Sequence, residues 1–340
     1  MKKQTRNLCI AAAALVILGG IYLAVSSREE QPETVAVGNL ADMDVTGFSY
    51  SNADGTWNFA KTDGAWTNAD DATCPINNDT MQELVDAIQG LTADRSLETP
   101  DDDADYGLDD PDYTVTLSDG SEDVTLTASV QDTVTYLKLS EGDTVYATSS
   151  ALPEGLDNGL TDWIAYDNIP YATEDSLTEI VWNDMTVTRV MEDTAEAETE
   201  DSQADTDETA DETADEAGDS AEDEEEAVKW QITDASGTRT VEQDTTMDAF
   251  LNDVRGLYVL ACADYGIATE QEKQTYGLDD PADSLHVTYT TEDGTASYTI
   301  AIGASNGDDG YYAMLDDNGI VLVLESAGVD ALRSVSLADA

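Results

Sequence analysis

A repeated hexapeptide limits the folds open to this chain more than any other feature. The sequence Tyr-Gly-Leu-Asp-Asp-Pro occurs at 106–111 and again at 276–281. The first copy is Tyr106, Gly107, Leu108, Asp109, Asp110 and Pro111, and the second is Tyr276, Gly277, Leu278, Asp279, Asp280 and Pro281. Identity at every position of the two copies indicates an internal duplication, so two similar units are expected.

The same pattern of helix and strands surrounds both copies. Upstream, apolar residues recur with helical spacing along 81–91 and 247–257, which predicts one amphipathic helix per unit. Downstream, apolar and polar residues alternate along 113–117 and 285–289, and an Asp-Gly pair follows each run, as in strands joined by hairpin turns. The order predicts an α+β protein: two tandem copies of a mainly antiparallel β-sheet unit with one packed amphipathic helix, preceded by one N-terminal transmembrane helix.

The hexapeptide is interpreted as a structural corner, with a ligand site as the alternative. Gly107 and Gly277 can adopt a positive φ. The leucine that follows can enter the core, and the aspartate before each proline is restricted to extended backbone. These are the properties of a chain reversal that leads into a strand.

An uncharged run, 8–25, lies near the start of the chain. As a helix it measures about 27 Å, enough to cross a bilayer core. Only positive charges precede it, so the positive-inside rule predicts a cytosolic N-terminus at 1–7, a single span of the cell membrane and an extracytoplasmic soluble part. The alternative is a cleaved signal peptide, because Ala24 and Ser26 are small residues at the spacing that signal peptidase prefers.

The predicted organisation of the soluble part follows from the repeat. A linker covers 28–43, the first α+β repeat unit covers 44–170, and the second covers 175–335. Within the second, more than half of the residues in 192–226 are Asp or Glu, and none is basic, which predicts a disordered loop. Because matching strands flank this acidic tract, with Trp230 in the place of Trp66, we expect it to replace a hairpin turn.

Charge and residue inventory argue against several classes of function. The formal net charge of −61 disfavours nucleic acid, whose binding relies on Lys and Arg. Motifs for nucleotide binding, a nucleophilic serine or a redox cysteine pair do not occur, and the single histidine, His286, falls on the solvent side of a predicted strand. We assign no catalytic residue, cofactor or metal ligand. The segment 316–319 is interpreted as a hairpin turn rather than a calcium loop, because Met314 stands at the first ligand position.

Two cysteines, Cys74 and Cys262, lie in the part that is expected outside the cytoplasm, where oxidation is feasible. A bond between them would close a loop that contains more than half of the chain. In the chain-entropy description, such a cross-link favours folding by about 5 kcal/mol. The sequence leaves the disulfide and two thiols as alternatives.

A set of short motifs links the chain to a known family. They are Gly-x-Trp at 55–57 and 64–66, the two hexapeptides, Ile302-Gly303 and Tyr311-Tyr312. With them the chain resembles the membrane-anchored bacterial proteins of the domain of unknown function 4340 (DUF4340) family, over most of 45–326. The first unit departs from the pattern by having Ala128-Ser129 in place of Ile-Gly. Members are often encoded beside exporters of the ATP-binding-cassette (ABC) class and gliding-motility auxiliary proteins, so the resemblance implies an accessory role at such a transporter.

Two functional hypotheses follow. The first is a non-enzymatic accessory or scaffold subunit of an ABC-type exporter, with transporter subunits or auxiliary proteins as partners. The alternative is an extracellular binding module for cations or cell-envelope polymers, with Trp57, Trp66, Trp163 and Trp182 as candidate aromatic contacts. A hydrolase would need two carboxylates about 5 to 9 Å apart, and the sequence nominates no pair.

Overall fold

A computed structural model describes residues 34–190, 228–307 and 310–337. The chain divides into two compact units, unit 1 (Met1–Ala165) and unit 2 (Tyr166–Ala340). The predicted cytosolic segment, the transmembrane helix and the acidic tract lie outside the described residues. Within the described ranges, no helix is both long and apolar enough to cross a membrane.

Unit 1 is built on antiparallel strands. They are β1 (Val35–Ala36), β2 (Gly47–Asn52), β3 (Gly55–Thr62), β4 (Ala65–Asn68), β5 (Thr92–Ala93), β6 (Arg95–Leu97), β7 (Tyr113–Ser118), β8 (Asp123–Gln131), β9 (Val134–Leu139) and β10 (Val145–Thr148). Eight of them form one sheet in the order β4-β3-β2-β7-β8-β9-β10-β6, and β1 pairs separately with β5. Val37 and Leu40, which the sequence assigned to a linker, are buried in this unit.

Alternation along the strands gives the sheet of unit 1 one apolar face and one polar face. In β7, Val115 and Leu117 are buried, whereas Thr114 and Thr116 are half-buried on the opposite side. Successive side chains of a strand point to opposite faces, so an antiparallel sheet with this pattern is covered on one side only.

One helix, α1 (Asn78–Gln89), lies between β4 and β5 in the chain. The side chain of Asn77 caps its first turn by accepting a hydrogen bond from Thr80 N at 3.3 Å. The helix buries Met81, Leu84, Val85 and Ile88. Its Gln82 accepts hydrogen bonds from Trp66 Nε1 at 3.0 Å and Lys61 Nζ at 2.9 Å, which ties the helix to β3 and β4.

A buried aromatic cluster closes the core of unit 1. Trp163 is 1% exposed and donates from Nε1 to the hydroxyl oxygen of Tyr50 at 2.6 Å. The Tyr50 hydroxyl in turn donates to the carbonyl oxygen of Asn158 at 2.8 Å. Both polar groups of these large side chains are therefore satisfied within the core.

This cluster predicts a loss of stability at alkaline pH. Burial raises the pKa of Tyr50 from 10.0 to about 12. Stability that depends on neutral Tyr50 is fully present below pH 10 and is lost as the pH rises from 10 towards 12. Urea unfolding at about pH 9 and about pH 11 should show a smaller loss in Tyr50→Phe than in the unchanged protein. An equal loss in both would contradict this assignment.

Unit 2 repeats the architecture with additions. Its strands are β11 (Leu177–Trp182), β12 (Met185–Arg189), β13 (Lys229–Asp234), β14 (Gly237–Glu242), β15 (Val259–Asp264), β16 (Asp283–Thr291), β17 (Gly294–Ser305), β18 (Gly310–Leu315) and β19 (Val321–Glu325). They form one antiparallel sheet in the order β14-β13-β12-β11-β16-β17-β18-β19-β15. The helices are α2 (Thr245–Arg255), α3 (Glu270–Gln274) and α4 (Ser326–Ser334).

The sheet of unit 2 has a large core on one face and a small one on the other. The large core includes the buried residues of α2 and α4 together with Trp230. The small core consists of Ile267, Leu278, Met314 and Val321. Since Met314 lies between two strand residues of the large core, Ala313 and Leu315, strand alternation places the two cores on opposite faces.

Matching pairs support the internal duplication. Lys61 lies opposite Trp66 on β3 and β4, and Arg189 lies opposite Trp230 on β12 and β13. In both pairs the cationic group lies over the indole ring, at 5.3 and 5.9 Å from the ring centre. The antiparallel pairing predicted for the strands on either side of the acidic tract is thus confirmed.

The predicted α+β class with mainly antiparallel sheets is confirmed, with differences in detail. Unit 2 packs two helices, α2 and α4, on its large core rather than the single one expected. Helix α4 was missed because it is short and contains Gly328. Three of the four tryptophans proposed as aromatic contacts, Trp66, Trp163 and Trp182, are buried, so that expectation is wrong for them.

Candidate functional site

Both hexapeptides form a corner at the end of a short helix. In unit 1 the 3-10 helix Asp103–Tyr106 ends at Gly107, whose φ is 70°, and in unit 2 Gly277 has a φ of 66°. The amide nitrogens of Leu108 and Leu278 each bond to the carbonyl oxygen five residues earlier, both at 3.0 Å. This 6→1 bond with a left-handed glycine is the Schellman ending of a helix.

The other residues of each corner have matching environments. Leu108 and Leu278 are 7% and 6% exposed, and the aspartates Asp109, Asp110, Asp279 and Asp280 are all exposed. The tyrosine rings pack against a tyrosine on a neighbouring strand: Tyr106 against Tyr136 at 5.1 Å and Tyr276 against Tyr312 at 5.0 Å. Pro111 and Pro281 then lead into β7 and β16.

The corners differ in how they contact β8 and β17. In unit 2, Ala304 N donates to the carbonyl oxygen of Tyr276 at 2.8 Å, and a Cβ at Gly303 would lie 2.2 Å from that oxygen. In unit 1 the corresponding residue is Ser129, and Val130 N donates instead to Asp112 Oδ2 at 2.7 Å. Unit 1 thus lacks the Ile-Gly pair, and its corner is held to β8 by the side chain of Asp112. In unit 2 the corner is held to β17 by a backbone carbonyl.

A cavity of about 420 Å³, which we call the unit 2 corner pocket, lies beside the second corner. It is lined by Leu278, Thr299, Ala301, Met314, Asp316 and Asp317. The apolar lining comes from the corner, β17 and β18, whereas the two carboxylates come from the turn after β18. An apolar floor with a few polar groups at the rim is the usual composition of a small-molecule site.

The turn that carries the two carboxylates is a hairpin between β18 and β19, as predicted. Asp316 and Asp317 both have positive φ, 49° and 55°, which aspartate tolerates better than most residues. Asp316 Oδ1 accepts a hydrogen bond from Thr299 N at 2.7 Å. Asp317 lies 2.6 Å from Lys273 Nζ of α3, and this pairing raises the pKa of Lys273.

In unit 1 a lysine occupies the position that Met314 has in unit 2. Lys138 pairs with Thr127 across β8 and β9, and Met314 pairs with Ala301 across β17 and β18. Each is the second residue after the strand tyrosine of its corner. Lys138 Nζ lies 2.7 and 2.8 Å from the carboxylate oxygens of Asp103. When the two hexapeptides are aligned, Asp103 matches Lys273.

A second cavity of about 420 Å³, the acidic cleft of unit 1, lies at the first corner. Its carboxylates are those of Asp54, Asp110, Asp112 and Asp157. The hydrogen bond from Tyr113 to Asp157 raises the pKa of Tyr113 to about 12. Across the part of the chain that the structure describes, no group of three or more His, Cys, Asp or Glu side chains is arranged to hold a metal ion.

The remaining residues singled out in the sequence belong to separate segments of the chain. His286 is on the polar face of β16, where its Nδ1 is 2.8 Å from Thr299 Oγ1. Cys74 is buried in unit 1 and Cys262 in unit 2. The disulfide between them stays a prediction.

Lys138 was not singled out from the sequence, and Met314 was named only for its position before the turn at 316–319. The difference between the units is visible in the sequence: when the two copies are aligned, Lys138 matches Met314 and Asp103 matches Lys273. Only the structure shows that, within each unit, these two positions lie beside the hexapeptide corner.

These features define a class of protein: a tandem-repeat α+β chain of two large antiparallel sheets, each with a hexapeptide corner. The family described as "Domain of unknown function (DUF4340)" matches residues 34–111 and 66–281, which together span well over half of the chain. The chain belongs to this family. Both matches end at the last residue of a hexapeptide, Pro111 or Pro281. Comparison with curated proteins and with solved structures gave no match.

Proposed function

We propose that the chain is a non-enzymatic accessory subunit, anchored in the membrane by residues 8–25, whose two units act outside the cytoplasm as a scaffold for an ABC-type exporter. The observation that supports this most is the repetition of one surface, the polar sheet face beside the corner, in both units. A chain that presents the same surface in two units is suited to binding partner proteins.

The polar face is organised by cross-strand hydrogen bonds. In unit 1, Thr116 Oγ1 lies 3.1 Å from Thr125 Oγ1. In unit 2, the corresponding pair is His286 and Thr299, at 2.8 Å. Side chains that are already ordered lose little conformational entropy on binding, which favours association over a broad surface.

The proposed extracytoplasmic location rests on the N-terminal apolar run and on the charge of the rest of the chain. Basic residues precede the apolar run, and the rest of the chain is strongly acidic. Such a body would be repelled by the anionic cytoplasmic leaflet, which attracts basic segments, and the positive-inside rule favours its export. Both arguments support an extracytoplasmic scaffold.

Capture from native membranes tests this proposal. The protein carries a C-terminal tag, membranes are solubilised in mild detergent, and co-purifying proteins are identified by mass spectrometry. We expect the membrane subunits of an exporter to be recovered. The intact mass of the captured protein reports whether the N-terminal run is retained.

Matched variants test the role of the polar faces. Thr125→Arg with Thr288→Arg places one cation on each polar face and should abolish the recovery of partners. Ala87→Arg with Ala249→Arg changes the charge equally at exposed helix positions and should retain them. Recovery of the unchanged protein alone would reject the accessory role, and recovery of partners with both double variants would reject the polar faces as the contact.

A further inference from the structure

We propose that the segment 267–276, which carries α3, is a strap that opens by itself while the large core of unit 2 stays folded, and that the ion pair between Lys273 and Asp317 holds it closed. The strap covers the side of the sheet on which the small core and the unit 2 corner pocket lie, so its opening controls access to both. The inference is independent of the accessory role, because it concerns the motion of one segment and not the binding of partner subunits.

A glycine with positive φ lies at each end of the strap. Gly266 has a φ of 72° and Gly277 a φ of 66°, and glycine changes between the two signs of φ at little cost. A Cβ placed on Gly266 would meet no atom within 4 Å, so the backbone turns there in open space. The corresponding segment of unit 1, 98–106, contains Pro100 and no glycine. Because proline fixes its own φ, the segment of unit 1 is the stiffer of the two.

The strap has few apolar contacts with the rest of unit 2. Ile267 is its buried residue, Lys273 and Tyr276 are half-buried, and the others are exposed. Ile267 packs in the small core, which has four buried residues, whereas α2 and α4 pack on the much larger core of the other face. Segments with few buried apolar contacts open at a lower free energy than the whole domain. Local opening is therefore expected here first.

The two ends of the strap are held unequally. At the first end, Ile267 N donates to the carbonyl oxygen of Gly319 at 3.0 Å. At the other end, the carbonyl oxygen of Tyr276 accepts from Ala304 N at 2.8 Å, and the Tyr276 hydroxyl donates to Asp264 Oδ2. The Tyr276 end is therefore the pivot, and the Ile267 end is the one that lifts.

The ion pair joins the middle of the strap to the turn after β18. Lys273 Nζ lies 2.6 Å from Asp317 Oδ1, and the lysine side chain is only 13% exposed. The nearest other carboxylate, Glu270, belongs to the strap itself and lies 3.7 Å from the same ammonium. Without this ammonium, Glu270 and the two aspartates of the turn would repel one another. A single cation thus makes the closed position favourable.

Unit 1 joins its corresponding segment to the sheet with the charges exchanged. Asp103 lies on that segment and Lys138 on β9, with 2.7 Å between Nζ and Oδ1. The recurrence of a Lys–Asp pair with reversed polarity supports a holding role for the attraction itself. The acid is 39% exposed in unit 1, whereas Asp317 is 72% exposed. Because water screens an exposed pair, the pair in unit 2 is the easier one to release.

Opening of the strap changes the pocket and the small core together. When the first end lifts, Ile267 leaves the small core, and Asp317 at the pocket rim loses its cation. Met314 and Val321, which are 2% and 0% exposed in the closed position, then become accessible from this side. The strap therefore acts as a lid on the unit 2 corner pocket.

Hydrogen exchange on the full chain in mild detergent, at several urea concentrations below global unfolding, tests the opening. Helix α3 has five residues, too few for stability without packing, so its amides exchange when the strap opens. Relative to their intrinsic rates, peptides from 267–276 should exchange at least about tenfold faster than peptides from α2. Their rate should depend little on urea, because a local opening exposes little surface. Equal protection and equal urea dependence of the two regions would overturn the separate opening.

Substitutions of the ion pair test the latch. Lys273→Met keeps an apolar stem, and Asp317→Asn keeps a residue that accepts positive φ. Each should accelerate exchange of 267–276 about threefold to fivefold, the range for a partly exposed ion pair, and leave α2 unchanged. The double variant should exchange no faster than the faster single variant, because both substitutions remove the same interaction.

Two matched controls complete the test. Asp316→Asn makes the same change of charge at the neighbouring position, also at positive φ, and should not accelerate the strap. Lys138→Met should accelerate exchange of 98–106 in unit 1 and leave 267–276 unchanged. Equal acceleration by the two asparagine variants, additive effects of Lys273→Met and Asp317→Asn, or acceleration of α2 together with the strap would each overturn the latch. If Lys273→Met fails to fold, Asp317→Asn against Asp316→Asn and the urea series on the unchanged protein still decide the matter.

Discussion

Replacing Gly303 by alanine is expected to lower the free energy of unfolding of unit 2 by about 3 kcal/mol. A Cβ at this position would lie 2.2 Å from the carbonyl oxygen of Tyr276, and this obstacle is backbone, which cannot rotate aside. The corner would have to move away and would lose the hydrogen bond from Ala304 N. Hydrogen exchange, read by mass spectrometry on peptides from 276–305, measures the loss of protection.

Position 129 of unit 1 provides the matched control. Ser129 already carries a Cβ where unit 2 has Gly303, so Ser129→Ala should change the stability of unit 1 by less than about 1 kcal/mol. If Gly303→Ala cost no more than that, the close approach of the second corner to β17 would not be a requirement of the fold.

Replacing Trp163 by alanine should lower the free energy of unfolding of unit 1 by about 4 kcal/mol. The indole is 1% exposed, and its ring lies edge-on to those of Tyr50 and Phe59, both at 6.4 Å. The substitution removes this packing and leaves the Tyr50 hydroxyl without its indole donor. Hydrogen exchange of β2 and β3 should report the change.

Trp57 is the comparison for this effect. Its ring lies 5.2 Å from that of Tyr50, but it is only half-buried, so Trp57→Ala should cost about 1 to 2 kcal/mol. Tyr50→Phe separates the hydrogen bond from the packing and should cost about 1 kcal/mol. Equal costs for the two tryptophans would contradict the central place of Trp163 in the core.

Most of the fold was predictable because its signals are local. The spacing of Met81, Leu84, Val85 and Ile88 predicts the buried face of α1, and strand alternation predicts the covered face of each sheet. Asp-Gly turns and a leucine after a left-handed glycine likewise depend on a few neighbouring residues. The strands β5 and β6 were missed because they are too short to show a period. Strand β15 was missed because register shifts interrupt its alternation, and α4 because it is short and contains Gly328.

The candidate pocket was not predictable from local patterns. Asp103 and Lys138 are far apart in the chain, and so are Thr299 and Asp316. Whether a lysine on one strand reaches an acid on a short helix depends on strand register and on the position of the corner. No periodicity within one segment carries that information.

By itself, the sequence determined that this chain is a duplicated, acidic, mainly β protein with a hexapeptide corner in each half, because repetition, alternation and turn chemistry act over a few residues. Only the tertiary structure decided that Trp163 belongs to the core, that Gly303 packs against the carbonyl oxygen of Tyr276, and that Met314 lines a pocket. These depend on contacts between distant segments, whose energies are settled by packing and by the exclusion of water when the sheets form.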